Sequence, residues 1–410
     1  MKILDITTVR TGSTGRNSTD LQSYHQQQGD VYRIAYSVPD SRPQGDDIII
    51  GSKLDHKIHA FLSRVFGLQG YFSNTATKKF LRRVKEFGPD VVVMGNLHAN
   101  FINLPLLFDF LAEERIPTVN ILHDCWFFTG GKCTHFTKRG CYKWKSHCRN
   151  CPARGADIPN WFFDFSYKMF EDRRRWYNRL KSFTLVAVSD WEKNLALQSP
   201  LLEKAKVIRV YNWVNTEIFK PATPEMIHVI KKKYKLSPDV KYVVSVSAGW
   251  SPDSSKTSDA IRLAEILPKE YKLIVVGRAD AGIFPDNIVY IPHTSDQLEL
   301  AVLYSLSSAY LHFSVEDTFG KVIAEAMSSG TVPIVFDSTA CGEVAGPFGI
   351  KVTPHDVHAM VSSLSLLEDK ARKEAVRQYA LENYNAAINK EIYREKIFLP
   401  LLEANKNRNV

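Results

Sequence analysis

What this chain lacks narrows its class first. None of its apolar runs approaches the roughly 20 residues that cross a bilayer as a helix, so no membrane-spanning helix is expected. The N-terminus, MKILDITTV, has neither the apolar core nor the cleavage site of a secretory signal. It reads as a first β-strand, and a cytoplasmic location is expected. No internal repeat and no low-complexity tract stands out, and a globular chain is expected. A nucleic-acid-binding motif is also missing. The 53 basic residues are dispersed among 44 acidic ones, so nucleic acid is not an expected partner despite a formal charge of +9. That charge suits nucleotides and anionic lipid surfaces better.

What is present has the composition of an ordinary globular protein, with 44% hydrophobic and 24% charged residues. At 410 residues the chain exceeds one typical core, so two domains are expected. Short β-rich apolar runs alternate with helical patterns. In the first half the runs are KILDIT, VYRIAYS, DVVVMG, TVNILHD and TLVAVS. In the second half they are KYVVSVSA, KLIVVG, NIVYIP, AYLHFS and TVPIVFD. Helical stretches such as TATKKFLRRVKEF and TSDAIRLAEIL separate most of them. This alternation implies parallel sheets covered by helices. It occurs twice, with a Pro- and Thr-containing break at Tyr211–Glu225. The expected architecture is α/β, two Rossmann-like doubly wound domains facing across a cleft. The expected bounds are 1–205 and 206–389, with a C-terminal helix over 390–410 able to pack back on the first domain.

The most informative stretch is SVEDTFGKVIAEAMSSGTVPIV, Ser314–Val335. It reads as strand end, loop, helix and strand. Val322, Ile323, Ala326 and Met327 recur at helical spacing, and Gly330 is a natural stop. In an open parallel sheet, ligands bind outside the carboxyl ends of the strands, where Asp317–Gly320 fall. The helix then opens near Gly320 with N–H groups directed into the crevice, an arrangement suited to phosphate. Glu325, further along, could reach a hydroxyl-rich group beside it. The competing reading makes Asp317 an acid favoured by the helix dipole and Glu325 a solvated helix residue.

Several stretches resemble glycosyltransferase family 4, of the GT-B fold, in its bacterial capsule, O-antigen and colanic-acid type. GSTGR (Gly12–Arg16) is similar to the family's glycine-containing first loop. LHDCWFFTGGKCTHFTKRGCYKWKSHCRNCP (Leu122–Pro152) is similar to a Cys-rich segment of this subgroup. VAVSDW and RVYNWVNTEIFKP resemble the end of the first domain and the linker. HTSDQLELAVLYSLSSAYLHFSVEDTFGKVIAEAMSSGTVPIV matches the donor half, including two acids separated by seven residues. Two departures stand out. The first acid is Asp317 where Glu is commoner, and the phosphate loop SAGWSPDSSKTSDA supplies Lys256 with no arginine before it.

The resemblance implies a retaining glycosyltransferase that uses a UDP- or GDP-sugar and a glycan or lipid-linked acceptor in surface polysaccharide biosynthesis. It implies that Glu325 binds the ribose and Asp317 the transferred sugar. Backbone around Thr318, Phe319, Gly320, Lys321 and Val322 would hold the pyrophosphate, and Lys256 would stabilise the leaving diphosphate. His123 would polarise the reacting end of the donor sugar; a satisfied structural histidine is its plainer reading. Gly12 and Gly15 would let backbone approach the ligands, although Gly15 could equally open a helix. His98 and Asn100 would line the acceptor side or be loop polar residues near a turn. No catalytic metal is implied. A nucleotide-sugar epimerase or a degenerate sugar-binding protein is the alternative.

Five of the six cysteines lie between Cys125 and Cys151. Cys133, Cys141, Cys148 and Cys151 suit a closed structural zinc site better than disulfides in a cytoplasmic chain. Reduced buried thiols are the other reading. His56–Phe72 and Lys78–Lys85 mix basic and large apolar residues, which suits a peripheral contact with the inner face of a membrane. The alternative is that Phe80, Leu81, Val84 and Phe87 pack the core, with the charges solvated.

Overall fold

The computed structural model describes residues 1–37, 45–155 and 157–406. Two compact units make up the chain: Met1–Val210 with Lys390–Val410, and Tyr211–Asn389.

The first unit carries strands β1 (Lys2–Thr7), β2 (Val31–Ser37), β3 (Ile48–Ile50), β4 (Val91–Met94), β5 (Thr118–Ile121), β6 (Phe183–Ala187) and β7 (Lys206–Arg209). They form one parallel sheet in the order β3-β2-β1-β4-β5-β6-β7. Its central strands are runs such as VVVM, buried along their whole length, because helices cover both faces of a parallel sheet. Helix Asn74–Phe87 shows how the cover forms. Thr77, Phe80, Leu81, Val84 and Phe87 recur at three- and four-residue spacing and are buried, while Gly88 at φ 60° ends the helix. The core-packing reading of that helix therefore holds. The last segment is helical from Ala386 to Lys406. Its Phe398 ring lies 5.0 Å from His25, and Arg394 lies 3.8 Å from Asp30.

The second unit carries β8 (Lys241–Trp250), β9 (Tyr271–Ala279), β10 (Ile288–Pro292), β11 (Ala309–His312), β12 (Val332–Phe336) and β13 (Ile350–Val352). Their order is β10-β9-β8-β11-β12-β13, again all parallel. Both sheets reverse direction beside their first strand, between β1 and β4 and between β8 and β11. Such switch points are where doubly wound sheets hold ligands.

The units divide after Val210 rather than after residue 205, because Lys206–Arg209 pair with β6 and close the first sheet. Strands β3, β7 and β13 have no counterpart among the expected ones. β3 and β13 have three residues each, too few to show a period, and β7 (KVIR) has no fully buried position.

Candidate functional site

At the second switch point, β8 ends in Gly249 and Trp250 and leads through a short loop into helix Ser255–Ile266. Lys256 Nζ donates to Ser247 Oγ at 2.6 Å and lies 5.6 Å from the Trp250 ring centre. Burial lowers the Lys256 pKa, while the Asp317 carboxylate pulls it back up, so the two groups share one field. Arg278, near the end of β9, lines the same cavity of about 400 Å³ as Lys256, Trp250 and Ser254. Arg278 thus brings a second cation to this cavity from the neighbouring strand. Gly277 lets that strand approach. At φ 148° a Cβ there would sit 2.1 Å from the Ser247 carbonyl oxygen.

Beside it, β11 ends in His312, and the chain runs through Asp317 into helix Lys321–Ser328. Gly320 caps the helix at φ 76°. No side chain caps this helix start, and the Ile323 N–H donates back to the Gly320 carbonyl at 2.8 Å; a helix N-terminus suits phosphate. The loop is held from below. Asp317 N–H donates to Thr339 Oγ1 at 3.1 Å, and Ser338 Oγ donates to the Val315 carbonyl at 2.8 Å. Phe319 is buried, packed on Tyr384 at 5.3 Å between ring centres and on Tyr211 at 6.0 Å. Thr318 is buried too, and Lys321 and Val322 are half-buried.

Asp317 and Glu325 have different surroundings. Asp317 is 34% exposed, and its Oδ2 is 2.8 Å from His312 Nε2. His312 Nδ1 is 2.8 Å from Tyr310 Oη. Burial alone would lower the His312 pKa, but Tyr310, Cys341 and Asp317 outweigh it and raise it well above the ordinary value. Glu325 is only 7% exposed and accepts from Tyr304 Oη at 3.4 Å. The solvated reading of Glu325 therefore fails, because its face of the helix packs on Tyr304. His312, Asp317 and Cys341 are the one His/Cys/Asp/Glu trio among the described residues with donor atoms mutually within 4.8 Å. Both His312 nitrogens already have hydrogen-bond partners, so the trio reads as a hydrogen-bonded relay.

In the first unit, Thr8 Oγ1 donates to the Asn96 carbonyl at 2.7 Å, tying the loops after β1 and β4 together. His98 Nε2 lies 2.9 Å from Asp124 Oδ2. Burial would raise the Asp124 pKa, but His98 and the Trp126 N–H hold it below the ordinary carboxylate value. Asp124 was missed in the sequence although it adjoins His123, which is half-buried two residues past β5. Asn100 adopts φ 58°, and its buried Oδ1 has no hydrogen-bond partner. Gly12 (φ 75°) begins helix Gly12–Gln27 in open space. Gly15 is different: a Cβ there would meet the Arg10 carbonyl carbon at 2.4 Å, so it seats the loop on the helix.

Cys133, Cys141, Cys148 and Cys151 are unbridged and line one cavity. Their loop is anchored at the His98–Asp124 pair. Trp126 N–H donates to Asp124 Oδ1 at 2.9 Å, and Arg173 Nη1 donates to the Trp126 carbonyl at 2.8 Å.

Elsewhere on this unit, helix Lys53–Phe66 exposes Leu54, Ile58, Phe61 and Phe66. The loop at Trp161, Phe162 and Phe163 continues the patch, with Phe162 64% exposed. Phe61 and Trp161 ring centres are 6.0 Å apart, and Phe66 stacks on Phe163 at 6.3 Å. No described helix is long and apolar enough to cross a membrane.

These features fit what the chain is similar to. Residues 230–383 match the family model described as glycosyl transferases group 1. The O-antigen chain mannosyltransferase RfbU of Salmonella typhimurium is 26% identical over 194 residues, 45% of this chain and 50% of that protein. The chain thus spans about half the length of the curated relatives it matches. Among solved structures, a glycosyltransferase from Rickettsia africae superposes with a TM-score of 0.68 at 16% identity, covering 98% of both chains. Anabaena Alr3699/HepE, solved in complex with UDP and glucose, gives 0.67 at 14% identity, covering 97% of this chain and 99% of that one. The fold is GT-B: two parallel-sheet, Rossmann-like domains in one chain.

Proposed function

We propose that the protein is a retaining glycosyltransferase of the family 4 type, acting in surface polysaccharide biosynthesis. Its donor is a UDP- or GDP-sugar, and its acceptor is a glycan or a lipid-linked glycan. The observation that carries this reading is the grouping at the β8/β11 switch point. Lys256 and Arg278 line one cavity, Asp317 acts on Lys256, and an open helix N-terminus at Gly320 precedes the buried Glu325.

The chemistry follows from that grouping. The acceptor oxygen bonds to the anomeric carbon while the bond from that carbon to the diphosphate oxygen breaks. The electron pair passes to the diphosphate, which also takes up the acceptor proton. Charge grows on the leaving group, where Lys256, Arg278 and the helix N–H groups oppose it. Glu325 accepts from the ribose hydroxyls. Asp317, oriented by His312, accepts from a hydroxyl of the transferred sugar. The family resemblance assigns His123, Gly12 and Gly15 to the donor and His98 and Asn100 to the acceptor. The catalytic step itself needs no metal.

The exposed aromatic patch supports a peripheral membrane contact at the cytoplasmic face. Phe61, Trp161 and Phe162 would enter the headgroup boundary while exposed Lys53, Lys57 and Arg64 meet anionic lipid.

A thermal-shift series across UDP, GDP, ADP and their sugars tests the donor, since a ligand at about 100 times its Kd adds about 2.7 kcal/mol of stability. Release of free nucleoside diphosphate that depends on a lipid-linked glycan supports transfer. Release without acceptor, accompanied by donor isomerisation, would identify an epimerase. Absence of turnover with every donor would leave a sugar-binding protein.

A further inference from the structure

We propose that Cys133, Cys141, Cys148 and Cys151 bind one structural zinc ion that pins the loop carrying Asp124 and Trp126. The four cysteines wall a single cavity with room of about 20 Å³, enough for one water-sized occupant. Around it stand three buried hydrogen-bond donors with no partner: Lys132 Nζ, Trp144 Nε1 and Ser166 Oγ. Lys132 is 2% exposed, and Trp144 and Ser166 are 1% exposed each. An unpaired buried ammonium is costly, and an indole N–H can only donate. Neutral thiols accept hydrogen bonds weakly. All three donors line the same cavity as the four sulfurs. Gly130 and Ala153 line the cavity beside the Cys148 and Cys151 sulfurs. Gly130 permits this approach: a Cβ there would sit 2.7 Å from the Cys148 sulfur.

Four adjacent thiolates repel one another and require a cation. A divalent ion leaves a dianionic centre, which Lys132 and the surrounding donors offset. Sulfur-only tetrahedral ligation selects zinc in a closed structural site. Binding releases the four thiol protons to solvent. Zinc–sulfur bonds of about 2.3 Å put the sulfurs about 3.8 Å apart. In the structure the four sulfurs stand farther apart, since among the described residues the only trio within 4.8 Å is His312, Asp317 and Cys341. Ligation therefore draws the cysteine side chains inward around a preformed shell of donors. The tightened loop then fixes Trp126, whose N–H holds Asp124 and whose ring lies 5.7 Å from His98.

The test is elemental analysis of the full chain purified under reducing conditions. About one zinc per chain is expected, bound through all four cysteines. Less than about a tenth of an equivalent overturns the proposal. Replacement by Co(II) should give the visible absorption of tetrahedral thiolate cobalt; its absence in a metal-loaded sample also overturns it. Cys148→Ser should lose the metal, whereas Cys341→Ser should keep it; the reverse pattern would move the metal to the second unit. Lys132→Met should release zinc to a chelator at least several-fold faster while leaving the four ligands in place. The wild-type stoichiometry decides even if a cysteine variant fails to fold.

Discussion

His312 Nε2 lies 2.8 Å from Asp317 Oδ2, and its other nitrogen lies 2.8 Å from Tyr310 Oη. A histidine at the end of a buried strand thus holds the acid that faces the candidate donor site. Its pKa in the fold is raised well above the ordinary 6.5. The stability it lends is complete below about pH 6.5 and is lost as pH rises through its folded value.

Unfolding by urea at about pH 6 and about pH 9 should therefore show wild type losing more stability over that interval than His312→Gln. Tyr310, Cys341 and Asp317 face the ring, and all three raise its pKa. Equal losses in the two proteins would remove His312 as the titrating group.

Arg278 should carry part of the diphosphate. A charge-assisted hydrogen bond is worth roughly 1.5–3 kcal/mol, so Arg278→Ala should weaken nucleoside diphosphate binding about tenfold or more. The free nucleoside should bind both proteins alike. Calorimetry with each ligand separates the cases, and an equal loss for both ligands would point to general unfolding of the cavity.

The aromatic patch should act in the membrane and not in the core. Combining Phe61→Ser, Trp161→Ser and Phe162→Ser removes exposed rings, so the melting temperature should change little. Co-sedimentation with anionic vesicles at low salt should fall to the level of neutral vesicles. If wild type shows no preference for anionic vesicles, the patch has another use.

The sequence reveals the fold where elements are long and periodic. KILDIT, VYRIAYS and the helix ending at Phe87 all appear at the expected places. The three-residue strands β3 and β13 leave no period to read. The candidate site is legible where chemistry is local in sequence, as from Asp317 to Glu325. Arg278 escaped because strand pairing, not sequence, sets it beside Lys256. His312 looked like part of an apolar strand, since AYLHFS shows no sign of the carboxylate its ring meets. Helix Lys53–Phe66 shows the opposite difficulty. Its sequence does not say which apolar residues face solvent, and the fold shows Leu54 and Phe61 exposed.

The most direct measurement is calorimetric titration of free UDP and GDP into wild type, Glu325→Ala, Glu325→Gln and Asp317→Ala. Loss of a ribose partner should weaken the better nucleotide about tenfold or more in Glu325→Ala. Glu325→Gln can still accept from Tyr304, and it separates loss of the ribose contact from disturbance of that tyrosine. Asp317→Ala should bind the free nucleotide like wild type yet lose turnover, because its partner is the sugar. If folded Glu325→Ala binds nucleotide as tightly as wild type, the donor site does not lie at this helix.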